Sequence, residues 1–128
     1  MNYLVDTHAL LWFLSGSAKL PKKSREAIKN LNNNCYVSIA SIWEIAIKLS
    51  LKKLELDFEF NRLSTTLSNN KIDILPLTFD HLIRLTNLKL QHRDPFDRAI
   101  ICQALVEDLT IITADEQIKA YPVKILWG

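Results

Sequence analysis

Short runs of apolar, often β-branched residues alternate along this chain with segments of helical periodicity, and no other feature restricts the possible folds as much. Tyr3–Val5, Cys35–Ile39, Ile72–Leu75, Leu109–Thr113 and Val123–Leu126 read as strands. Helices are predicted over His8–Leu14, from Pro21 to about Leu31, from about Ala40 to Lys53, and over Phe58–Ser68, Thr78–Leu85, Pro95–Glu107 and Asp115–Ala120. Strands alternating with helices imply an α/β fold with a parallel sheet covered on both faces. A chain of 128 residues without internal repeat or linker fits one domain, 1–128.

The segment after "YVSIA" shows its pattern most clearly. Ile42, Ile45, Ala46 and Leu49 share one helical face, and Trp43, Ile47 and Leu54 form a second apolar stripe roughly opposite. Glu44 and Lys48 lie between the stripes. A helix apolar on two sides is either central in the fold or covered by a partner. Further on, Thr78 is the expected N-cap of its helix, and "NLNNN" ends the basic helix that Pro21 opens.

Several functions are excluded early. With only Gly16 and Gly128, the chain has neither a Walker A loop nor a GxGxxG fingerprint, both of which need glycine where backbone approaches phosphate. No apolar run reaches the 18 or so residues of a membrane span, and "MNYLVDTHALLWFL" lacks the basic start of a secretory signal. Cys35 and Cys102 sit among apolar residues, without a CxxC or Cys/His cluster. They read as buried hydrophobes in a reducing, cytoplasmic setting. Net charge is +2, too small to imply nucleic-acid binding by itself. The cations are nevertheless patchy: Lys19, Lys22, Lys23, Arg25 and Lys29, then Lys48, Lys52 and Lys53, then His92, Arg93 and Arg98. Solvated helix faces account for most such runs.

The acids carry more information. In an open α/β sheet, ligands bind beyond the carboxyl ends of the strands. Asp6 follows "YLV" and Asp115 follows "LTIITA"; Glu44 lies in the first turns after "YVSIA", and Asp97 opens the helix at Pro95. All four can project into one crevice. Their mutual repulsion costs stability, which a divalent cation with oxygen ligands removes. Such a site can deprotonate water and clamp a phosphodiester. Simpler roles compete. Asp94 before Pro95 is a good N-cap, with Asp97 at N3 near the helix dipole. Glu44 can complete a box with Ser41 or pair with Lys48, and Asp115 can cap the last helix. Asp6 lacks such an account, because an acid ending a buried strand is costly unless something binds it.

"LVDTHALLW", "VSIASIWEIAIK" and "HRDPFDRAIICQALVEDLTIITAD", in that order and spacing, resemble a PIN domain, specifically a VapC-like ribonuclease toxin of type II toxin–antitoxin systems. The resemblance covers nearly the whole chain. It implies a PIN-like three-layer α/β/α sandwich with a central parallel sheet of four to five short strands. It also implies a catalytic and metal-binding quartet, Asp6, Glu44, Asp97 and Asp115, holding Mg²⁺ or Mn²⁺ to cleave RNA. Asp94, Thr7 and Thr113 match accessory positions. The expected partners are an RNA substrate, a cognate antitoxin and a second copy in a homodimer, with no membrane. The second apolar stripe on the Glu44 helix fits such a dimer, though a central helix would look the same.

Arg93, Arg98, Lys48, His8 and His92 lie near the acids in sequence and are candidates for RNA phosphate. Arg98 can equally pair with a nearby acid, and His8 can be an ordinary helix histidine. Trp12 and Trp43 suit a core or interface better than base stacking. Two other functions compete. A haloacid-dehalogenase-type hydrolase wants D-x-D after the first strand, and here it reads "DTH". A non-catalytic PIN-like RNA- or protein-binding module would be expected to lack an acid, and none is missing.

Overall fold

Tyr3, Leu4 and Val5 are all buried, yet they enter two different cores. A strand sends alternate side chains to opposite faces, so this requires apolar layers on both sides. A computed structural model describes all 128 residues and shows that arrangement. Strands β1 (Asn2–Val5), β2 (Asn34–Ser38), β3 (Ile72–Leu75), β4 (Thr110–Ile112) and β5 (Lys124–Leu126) form one parallel sheet in the order β3-β2-β1-β4-β5. Helices α1 (Thr7–Ser15), α2 (Lys22–Lys29), α3 (Ile39–Ser50) and α4 (Leu63–Asn69) supply the core that holds Tyr3, Val5, Val37 and Ile112. Helices α5 (Phe79–Thr86), α6 (Pro95–Glu107) and α7 (Glu116–Lys119) cover the other face, over Leu4, Tyr36 and Ile111. The result is a three-layer α/β/α sandwich. Truncating a fully buried strand residue such as Leu4 or Ile111 to Ala costs about 2–5 kcal/mol.

The strand order creates the place for a site. The chain builds β1, β2 and β3 outward, then returns to lay β4 against the other edge of β1. The reversal lies between β1 and β4, and at such a point the loops leaving the strands splay apart into a crevice.

Local signals set most boundaries. Thr78 caps α5, and the box is completed by His81, whose Nδ1 accepts the Thr78 N–H at 2.9 Å. Asp94 caps α6, with Pro95 at its first position. Three expectations need correction. The cap of α3 is Ser38, which turns out of β2 to accept the Ala40 N–H at 3.0 Å. Ser41 therefore lies inside the helix, and no Ser41–Glu44 box forms. Helix α3 also stops at Ser50 rather than Lys53, where Lys52 adopts a left-handed φ of 57°. Leu54 then packs against the core instead of extending the outward stripe. Finally, the helix expected over Phe58–Ser68 divides into a 3-10 turn at Phe60–Arg62 and α4.

Helix α3 is not central. Ile45 is fully buried, while Trp43 is 63 % exposed and touches Phe96 edge to face. Both cysteines are free and buried, and burial raises their thiols, Cys35 to about 11. No helix is long and apolar enough to cross a membrane.

Candidate active site at the strand reversal

Asp6 is the first residue beyond β1, and its position is set by two jobs. Its Oδ1 accepts the Ala9 N–H at 2.8 Å, capping α1, and its Oδ2 accepts the Thr113 hydroxyl. Thr113 follows β4, the neighbour of β1, and its oxygen also accepts the Asp115 N–H at 3.0 Å. One hydroxyl thus ties together the acids leaving two adjacent strands. The cap that Asp6 provides was not anticipated, although D-T-H before an apolar helix is a recognisable signal for it.

Glu44 lies one and a half turns into α3 and is buried. The Thr7 hydroxyl donates to its Oε1 at 2.8 Å and sits 2.9 Å from the Ser41 hydroxyl. Lys48, one turn on, meets its Oε2 at 2.9 Å, the expected i, i+4 pair. Thr7 and Thr113 therefore support Glu44 and Asp6 respectively.

The third group is tighter. Asp97 projects from the first turn of α6, and its Oδ2 lies 2.8 Å from His92 Nε2; Asp115 Oδ2 lies 3.6 Å from the same nitrogen. Ligating atoms of His92, Asp97 and Asp115 all fall within 4.8 Å of one another. Asp94 uses its Oδ1 to accept the N–H groups of Phe96 and Asp97 at 2.8 and 3.3 Å. It stands outside that trio and acts on it through its charge.

That charge is visible in the acids. Burial, then the Asp94 charge, pushes the Asp97 carboxyl up to about 7; the His92 hydrogen bond and charge oppose this, and Asp115 adds a further push. Burial also holds the Asp6 carboxyl above its ordinary range, against the Thr113 hydroxyl, the Ala9 N–H and His8, with Asp115 adding to the rise. Carboxylates that repel one another in a half-buried crevice are a donor set suited to a hard divalent cation. The trio supplies two carboxylates, and Asp6 joins it through Thr113.

The basic residues divide. Arg93 is exposed and lines, with Lys48, Glu44, Asp94 and Phe96, an open groove of about 460 Å³. His8 is exposed on α1 beside Trp12. Arg98 and His92, read from sequence as RNA candidates, are committed elsewhere. The Arg98 guanidinium donates to the carbonyls of Lys89 (3.0 Å), His92 (3.3 Å) and Leu88 (3.4 Å), which fixes a loop rather than facing solvent. His92 is buried and turned toward the acids. Its proximity to Asp97 is what sequence reading missed; the loop geometry that causes it has no local signal. Trp12 packs on Trp127, with Lys19 above it.

The PIN domain family profile matches residues 3–124. Among curated proteins, none matches the chain by sequence. In fold the chain is similar to a chain of VapBC2 from Rickettsia felis, in a structure bound to a promoter DNA fragment, with TM-score 0.75, 18 % identity and 100 % of each chain covered. It is similar also to a chain of a toxin–antitoxin complex from Klebsiella pneumoniae, with TM-score 0.66, 19 % identity, and 97 % of this chain and 95 % of that one covered. A chain of VapBC-1 from nontypeable Haemophilus influenzae gives TM-score 0.68 and 20 % identity, covering 98 % of this chain and 97 % of that one.

Proposed function

The chain belongs to the PIN domain family, and on that premise we propose that it is a metal-dependent endoribonuclease, the toxin of a type II toxin–antitoxin pair. The observation that carries the reading is the convergence at the β1/β4 reversal: Asp6 and Asp115 tied by Thr113, with Asp97 beside Asp115 and its carboxyl raised by burial and like charge. Asp6, Glu44, Asp97 and Asp115 would hold Mg²⁺ or Mn²⁺. When bound, that ion stabilises negative charge on the phosphodiester and lowers the pKa of water.

The chain's own residues do the rest. His92 holds Asp97 through its Oδ2. Thr7 and Lys48 fix the two oxygens of Glu44 on either side. Arg93 and Lys48 offer positive charge along the groove for flanking phosphates, which supply most of the affinity for RNA.

The relatives in fold include a toxin–antitoxin complex, which supports an antitoxin partner. A small gene for a DNA-binding protein beside this one would support the pairing. Self-association is supported by the outward face of α3. There Ile39, Trp43, Leu82 and Phe96 line an apolar groove of about 280 Å³, and light scattering of the free protein checks it.

The deciding experiment is RNA-end sequencing after expression of the wild type and of Asp97→Asn, with cleavage assays on antitoxin-free protein in Mg²⁺, Mn²⁺ and EDTA. We expect defined new ends from the wild type and a loss of about 100-fold or more in the variant. Wild-type protein that cleaves no RNA with either metal would overturn the reading.

A further inference from the structure

His92 is held by the fold at three points. Its main-chain N–H donates to the Tyr121 hydroxyl at 2.8 Å, and its carbonyl accepts Arg98 at 3.3 Å. Its ring Nδ1 accepts the Asp94 N–H at 3.4 Å. The Tyr121 hydroxyl, itself buried, also accepts the Gln91 N–H at 3.0 Å and donates to the Lys89 carbonyl at 2.7 Å. Tyr121 follows α7, which Asp115 opens, and Arg98 follows Asp97 on α6. Of the two residues that grip the His92 loop, Arg98 is next in sequence to Asp97, and Tyr121 stands just past the far end of the short helix that Asp115 opens. This closes a ring of contacts through α6, the loop and α7.

We propose that His92 is a positioning residue of the site, whose Nε2–H sets the orientation of Asp97 and its separation from Asp115, and which the Tyr121–Arg98 clamp holds in place. The inference rests on the nuclease reading of the four acids and concerns how two of them are aimed. With Nδ1 accepting a backbone N–H, the proton resides on Nε2, the nitrogen that faces both carboxylates. That nitrogen then has no lone pair for a cation. A hydrogen-bond donor behind a ligating carboxylate fixes its direction and is worth roughly 10–100-fold in metal affinity or activity. Its burial also argues against a phosphate contact.

Antitoxin-free wild type, His92→Ala, His92→Gln, Tyr121→Phe and Asp97→Asn would be compared by Mn²⁺ titration calorimetry, pulsed EPR of bound Mn²⁺ and RNA-cleavage kinetics. We expect His92→Ala to weaken Mn²⁺ binding and lower kcat by roughly 10–100-fold while KM for RNA stays within about twofold. His92→Gln, which keeps a donor, should recover part of both losses. Tyr121→Phe, which removes one hydroxyl, should shift both the same way by less. The EPR spectrum of the wild type should show no directly bound nitrogen. Unchanged Mn²⁺ affinity and kcat in His92→Ala would overturn the proposal, as would a raised KM with Mn²⁺ binding intact, or a directly bound nitrogen. An active wild type and inactive Asp97→Asn beside an unaffected His92→Ala would remove this proposal and leave the nuclease reading standing. A wild type that neither binds Mn²⁺ nor cleaves RNA would remove both.

Discussion

Asp6 and Glu44 have their carboxylate oxygens taken up by two threonine hydroxyls, a backbone N–H and the Lys48 ammonium. Asp97 has one imidazole against two neighbouring aspartates. The first pair is built on β1, α1 and α3, where the acids double as caps or helix-face pairs. The second is built on a loop and two helix starts. The comparison separates hydrogen-bond satisfaction from charge balance. Burial raises the carboxyl in both halves, but in the first half hydrogen bonds to Thr113 and Ala9 oppose it at Asp6, whereas in the second the Asp94 and Asp115 charges add to it at Asp97.

The sharpest way to break this contrast is to remove charge from each half in EDTA and measure melting temperature. Asp97→Asn should raise it at pH 8 by a few degrees, since burial and the Asp94 charge disfavour the ionised carboxyl there. Asp6→Ala should lower it, because the α1 cap and the Thr113 bond go with it. The sign also sets a pH dependence. Asp97 binds its proton more tightly when folded, so its contribution favours folding fully below about pH 4 and is lost as pH rises through about 7. The metal-free wild type should therefore melt lower at pH 8 than at pH 5, Asp97→Asn should flatten that slope, and added Mn²⁺ should reverse it. A flat wild-type profile would mean that the second half is already balanced.

A smaller effect is expected where the halves join. Thr113→Val removes the donor to Asp6 and the acceptor for the Asp115 N–H, and should cost about 1–3 kcal/mol in chemical denaturation. Smallest of all is Lys48→Met. Its pair with Glu44 is part-exposed, so stability should change by no more than about 0.5 kcal/mol. A loss of several times that would show that Glu44 depends on Lys48 as Asp97 depends on His92, and the contrast would fail.

The fold was readable where the signal is local. Ile72–Leu75 and Pro95–Glu107 stand where their patterns place them, and Thr78 and Asp94 cap as their side chains suggest. The alternation of strands with helices along the chain forecast a sheet covered on both faces. The end of α3 was not readable, because it depends on Lys52 entering a left-handed turn that no nearby glycine announces. Within the site, Asp6 and Asp115 could be placed because they follow strands, and position after a strand is a sequence property. His92 could not be placed. Its loop is held by Tyr121, 29 residues away, and no periodicity reports a contact of that kind. Nor could the partners of Arg98 be read: pairing with a nearby acid was one expectation, and its guanidinium instead donates to the carbonyls of Leu88, Lys89 and His92.

The Thr113–Asp6 bond spans 107 residues of sequence. β4 can therefore settle against β1, and bring Asp115 to the crevice, only once synthesis has passed Thr113. Nascent or truncated chains that stop before Leu109 carry three of the four acids but lack β4, and with it the Thr113 hydroxyl that binds Asp6. Assembly of the four acids is thereby delayed until β4 is made, and a partner that recognises the finished crevice can bind only from that stage on.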